Sequence, residues 1–162
     1  MKALFVDIDG VLVSVSSMIC NNRLNLLGLT NTVSSKVLDP VAMSNLQYIL
    51  EEVPKVEIVI TSSWRKHYTI EALQEMFDQY HISGSFIVGV TPVLENGYRG
   101  HEIALYLKYH PEITNFVIID DGTDLAPFID RLVQIDSKNG LTFSDAEKVI
   151  QKFGENNEKE GH

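Results

Sequence analysis

The chain has 162 residues, 44% of them hydrophobic and 22% charged, with a formal net charge of −9. That length suits one domain with a full core. No apolar run approaches the ~20 residues that span a bilayer, and the acidic balance argues against a broad basic surface for nucleic acid. The lone Cys20 rules out an intramolecular disulfide and is compatible with a reducing cytoplasm. The stretch Leu4 to Val15 is too short and too acidic for the apolar part of a signal peptide, so no secretion signal is expected.

In chain order, the stretch Ala3 to Leu12 is an apolar strand and its exit, carrying Asp7, Asp9 and Gly10. From Val13 to Val37 the sequence is rich in Ser and Asn and reads as a polar excursion with a short hairpin or turn. Asp39-Pro40 opens a helix as N-cap and first turn, Leu46, Ile49, Leu50 and Val53 mark its inner face, and Pro54 stops it. Val56 to Ile60 is a β-branched strand that ends in Thr61-Ser62-Ser63-Trp64-Arg65. A helix follows over about Thr69 to Tyr80, then a strand over Phe86 to Val90 and a loop over Thr91 to Arg99 that includes Asn96-Gly97. A helix over about His101 to Tyr109 precedes the strand Phe116 to Ile119, which ends in Asp120-Asp121-Gly122. A short helix near Asp124 to Ile129 leads to a fifth strand, Leu132 to Ile135. Asn139-Gly140 is a turn, Ser144 to Glu147 reads as a capping box for the last helix, and Gly154 as its end. The expectation is one domain over residues 1–154 and a frayed polar tail over 155–162.

Strands that alternate with helices imply a parallel sheet covered on both faces. In such a sheet the carboxyl ends of the strands share one edge, where ligands bind. Three apolar strands end there in reactive polar groups: Asp7 and Asp9, Thr61 and Ser62, Asp120 and Asp121. Any one of these could be a turn former; together they suit phosphoryl transfer. A carboxylate at Asp7 can attack phosphorus in line, and a carboxyl at Asp9 can protonate the leaving oxygen and later deprotonate water. Four carboxylates in one cleft require a hard cation with oxygen ligands, which suits Mg²⁺ held by Asp7, Asp9, Asp120 and Asp121. Thr61 and Ser62 can hold the non-bridging oxygens. Arg99, in the loop that opens the next helix, is the candidate cation for the transferring group, whereas Lys108 reads as a surface charge.

The segment Phe5 to Val11 resembles the first motif of the haloacid dehalogenase (HAD) superfamily of phosphotransferases. Ile60-Thr61, Arg99 and Ile118 to Asp121 are similar to its second, third and fourth motifs, in the required order. The resemblance implies a Rossmann-like three-layer α/β sandwich with a mainly parallel five-stranded sheet, an aspartyl-phosphate on Asp7, and an Asp9 carbonyl that also reaches the metal. A narrower likeness, to the HAD domain of Swiss-Army-knife RNA-repair proteins, rests on Thr61 to Arg65, Val90 to Pro92, Arg99 to Ile103 and Asn139 to Thr142. It implies a phosphatase for nucleic-acid ends. Nucleotides, sugar phosphates and phosphoproteins are the other substrate classes, and a non-catalytic binding module is the rival outside enzymes. A dehalogenase fits less well, since it needs one carboxylate and no metal. The gaps between motifs hold no full cap domain, so the cap is minimal and Ser14 to Ser35 is the candidate lid.

Several residues keep two readings. Trp64 and Arg65 either touch the substrate beyond its phosphate, for which Arg65 is the stronger candidate, or pack and pair within the fold. Glu102 either orients Arg99 or favours a helix N-terminus. Asp124 and Asp136 are candidates for support of the metal site or for local turn and helix duty. The histidines lack metal-ligand spacing.

Overall fold

Short runs of β-branched and aliphatic residues without polar interruption are suited to strands covered on both faces. The computed structural model describes residues 1–29, 37–95 and 97–160, the last four by backbone only, and there these runs form five strands. They are β1 (Lys2–Val6), β2 (Val56–Ile60), β3 (Ile87–Val90), β4 (Asn115–Asp120) and β5 (Leu132–Gln134). Their order is β3-β2-β1-β4-β5 and every pair is parallel, the Rossmann-like α/β arrangement expected from the sequence.

Alternate residues of each strand face opposite sides. Leu4, Val6, Ile58, Ile60, Val117 and Ile119 pack beneath α2 (Pro40–Glu52), α3 (Ile70–Asp78) and α5 (Phe143–Glu160), through Leu46, Phe77 and Phe153 among others. Ala3, Phe5, Val59 and Ile118 face the other way, onto Ile103 and Tyr106 of α4 (Arg99–Tyr109). The register positions the site. Val6 pairs with Ile60 on one side and Ile119 on the other, so Asp7, Thr61 and Asp120 leave the sheet side by side. Between β1 and β4 the strand order reverses, which opens the crevice that such sheets use for ligands.

Four local expectations are corrected. The polar excursion contains a helix, Val15–Leu26, in place of a hairpin; Ser14 Oγ caps it by accepting from Ser17 N, and Val15 N and Ser16 N donate to Ser137 and Lys138 carbonyls. None of its residues is buried, so apolar periodicity gave no sign of it. The segment from Asp124 to Phe128 is irregular rather than helical, because Pro127 lacks an N–H and disfavours the helical conformation at Ala126. Only Ile129–Arg131 turns, as a 3-10 helix. The capping box of α5 is Thr142 with Asp145: Asp145 N donates to Thr142 Oγ1, and Thr142 N and Oγ1 donate to Asp145 Oδ2. Finally, Gly154 does not end α5. The helix continues to Glu160, and the buried Asn156 ties it to the sheet by donating to Asn115 Oδ1 and the Phe116 carbonyl. Residues 30–35 of the candidate lid, Lys36, Asn96 and the final two residues of the expected tail lie outside the described residues.

Candidate active site

Asp7 follows directly on β1 and is buried, its Oδ1 accepting from Ile8 N at 2.8 Å. Asp120, at the end of β4, is buried beside it, and its Oδ1 accepts from Gly122 N at 2.8 Å. Asp7, Asp120 and Asp121 each offer an oxygen, and these oxygens lie within 4.8 Å of one another. Gly10 makes this grouping possible. Its φ of +79° is in the left-handed region, and a Cβ there would lie 2.4 Å from Asp121 Oδ2.

Arg99 closes the group from the start of α4. Its Nη1 lies 2.8 Å from Asp7 Oδ2 and 2.5 Å from Asp120 Oδ2. Burial works against the guanidinium charge, and Asp7 and Asp120 outweigh it, so the Arg99 pKa rises. The Asp7 carboxyl goes up to about 6: burial is the main cause and Asp120 adds to it, while Arg99 opposes. Asp121 is also raised, by burial and then by Asp120. Carboxylate oxygens so grouped fit a hard, oxygen-ligated divalent cation in their donor chemistry.

The loop after β4 supports Arg99. Asp124 Oδ2 accepts from Arg99 N at 3.4 Å, and the Asp124 carbonyl accepts from Gly100 N at 3.0 Å, which caps α4 across the gap. A Cβ on Gly100 would lie 2.1 Å from the Ala126 carbonyl oxygen, so only glycine allows this approach. Asp124 therefore serves as the cap of a neighbouring helix, a role invisible to local spacing. Asp136 performs turn duty, accepting from Lys138 N and Asn139 Nδ2.

The remaining candidates divide. Thr61 is fully buried and its Oγ1 has no hydrogen-bond partner among the described residues. Ser62 Oγ accepts from Trp64 N at 3.3 Å, capping the 3-10 turn Ser63–Lys66. The Asp9 side chain is not part of the three-carboxylate group; its Oδ2 accepts from Trp64 Nε1 at 3.1 Å. Arg65, the sequence candidate for substrate contact, turns inward. Its guanidinium donates to the carbonyls of Thr61, Ser62 and Thr91, and its Nη2 lies 2.5 Å from Glu102 Oε2. Glu102 Oε1 accepts from Leu94 N, so Glu102 pairs with Arg65 and leaves Arg99 to Asp7 and Asp120. The buried Arg65–Glu102 pair ties the exits of β2 and β3 to α4. The sequence offered only a cation after one strand and an acid 37 positions later. No histidine joins the carboxylate group among the described residues.

The family model described as the HAD domain in Swiss Army Knife RNA repair proteins matches residues 3–146. The chain belongs to this HAD family. No curated protein and no solved structure matched. The matched span includes every residue of the candidate site described above, from Asp7 to Asp124. Membership points to hydrolase chemistry of the phosphatase type. No helix among the described residues is long and apolar enough to cross a membrane.

Proposed function

We propose that this HAD protein is a Mg²⁺-dependent phosphomonoesterase that works through an aspartyl-phosphate on Asp7. The observation that carries the reading is the convergence of Asp7, Asp120, Asp121 and Arg99 at one edge of the sheet. Asp7, Asp120 and Asp121, with the Asp9 backbone carbonyl, would hold the metal. When bound, Mg²⁺ would supply positive charge that keeps Asp7 ionised and offsets charge on the phosphoryl group.

The residues of the chain do the rest. An Asp7 oxygen attacks phosphorus as the bond to the leaving oxygen breaks, and Asp9 gives that oxygen its proton. A water then attacks the aspartyl-phosphate, losing its proton to Asp9, and releases phosphate and free Asp7. Arg99 offsets the charge on the transferring group, and Thr61 Oγ1, a buried hydroxyl without a partner among the described residues, suits a phosphate oxygen. Ser62 adds backbone N–H and hydroxyl groups to the same loop.

A phosphorylated nucleic-acid end, RNA foremost, is the proposed substrate. The family description supports it, as does the small cover over the strand ends: between the first and second motifs the described residues add only α1 (Val15–Leu26) to the core helix α2. The cytoplasm is the proposed setting, and the exposed, unpaired thiol of Cys20 is in keeping with it.

The test is release of p-nitrophenol from p-nitrophenyl phosphate with Mg²⁺, against EDTA and against Asp7→Asn, followed by 3′- and 5′-phosphorylated oligonucleotides, nucleotides and phosphopeptides. Turnover that survives Asp7→Asn would remove Asp7 as nucleophile. Absence of Mg²⁺-dependent release from every substrate would favour a binding module.

A further inference from the structure

Trp64 is the single tryptophan of the chain, and it is 2% exposed. Its indole N–H donates to Asp9 Oδ2 at 3.1 Å across a separation of 55 positions. The ring itself is held in place. Trp64 N donates to Ser62 Oγ, the Trp64 carbonyl accepts from His67 N and Tyr68 N at 2.9 Å each, and Tyr68 packs against the indole with ring centroids 5.5 Å apart. Its edge therefore joins the loop after β2, which carries Thr61 and Ser62, to the loop after β1, which carries Asp9.

A buried indole N–H needs an acceptor, and a backbone carbonyl would serve. Here the acceptor is instead the carboxyl group proposed to move the proton. An indole N–H can only donate. Oδ2 of Asp9 is the accepting oxygen in this structure, and the lone pair it commits to the indole makes Oδ1 the more favourable site for a proton on this carboxyl.

We propose that Trp64 is a positioning residue that selects Oδ1 of Asp9 as the proton-carrying atom and fixes its direction. The inference rests on the phosphatase reading above. In the first half-reaction the phosphorus–leaving-oxygen bond breaks as the Asp7–phosphorus bond forms, and the Oδ1 proton goes to the leaving oxygen. In the second, water oxygen bonds to phosphorus, the Asp7–phosphorus bond breaks, and the water proton returns to Oδ1. The sum is ester plus water giving alcohol plus phosphate.

Dependence on the leaving group tests this. An alkoxide needs the proton of Asp9 to depart, whereas p-nitrophenolate departs largely unaided. kcat/KM, which ends at formation of the phospho-enzyme, is measured for an alkyl phosphate and for p-nitrophenyl phosphate. Two variants are compared with wild type: Trp64→Phe, and Trp64 replaced by benzothienylalanine, which keeps the ring shape and substitutes sulfur for the N–H. The second serves if the first fails to fold. Loss on the alkyl phosphate should exceed loss on the aryl phosphate by about tenfold, less than the roughly 10²–10⁴-fold of a whole general acid because Asp9 itself remains. In an Asp9→Asn background the same substitution should add little further loss. Equal losses on both substrates, or additive losses with Asp9→Asn, would show a structural role and overturn the inference while leaving the phosphatase reading intact. A wild-type protein inactive on both substrates would overturn both.

Discussion

Asp7→Asn should stabilise the metal-free protein while it abolishes turnover. Burial raises the Asp7 carboxyl from 3.8 to about 6 in the folded chain, against the pull of Arg99. A carboxyl raised on folding favours the folded state fully at pH values below about 3.8, and that contribution is lost as pH rises through about 6. The difference of roughly two pKa units corresponds to about 3 kcal/mol of strain in the ionised wild type at pH 8. Asn carries no charge and avoids it. The assay is urea denaturation in EDTA at pH 4 and pH 8, followed by Trp64 fluorescence. Wild type and variant should be similar at pH 4, and the variant more stable at pH 8 by up to about 3 kcal/mol. Added Mg²⁺ should raise the midpoint of the wild type and change the variant far less, because the cation favours an ionised Asp7. If the variant is no more stable at pH 8 in EDTA, then Arg99 outweighs burial and the argument from desolvation is refuted.

Glu102→Gln leaves Arg65 as a buried charge without its counter-ion, both side chains being 4% exposed. Stability should fall by about 3–5 kcal/mol in urea denaturation, and a change under about 1 kcal/mol would mean that the pair is solvated. Gly10→Ala puts a Cβ into Asp121 at a positive φ, so Mg²⁺ affinity measured by titration calorimetry should fall several-fold; unchanged affinity would remove Asp121 from the metal site.

Much of the fold was legible in local sequence because strands buried on both faces must be continuously apolar. Val56 to Ile60 and the run ending at Ile119 could scarcely be anything else. The shared edge followed from the alternation of strands and helices, and with it the convergence of Asp7, Thr61 and Asp120. Elements without a buried face were less legible. α1 (Val15–Leu26) buries nothing, and its helical state depends on a Ser14 cap and on carbonyls from residues 137 and 138. The extension of α5 past Gly154 depends on Asn156 reaching the sheet.

Which chemical groups reach the carboxyl edge of the sheet was already set by local sequence, because strand length and strand polarity are local properties. How those groups divide depends on the packing of the whole chain. Arg99 and Arg65 are both cations beside a phosphate loop in the sequence. In the fold one meets Asp7 and Asp120, and the other is spent on Glu102 and the carbonyls of residues 61, 62 and 91. Asp7 and Asp9 lie two residues apart, yet Asp7 joins the three-carboxylate group and Asp9 turns to Trp64. The reason is physical: a buried charge or N–H takes the partner that packing delivers, and the charged partners here lie 21 to 92 positions away.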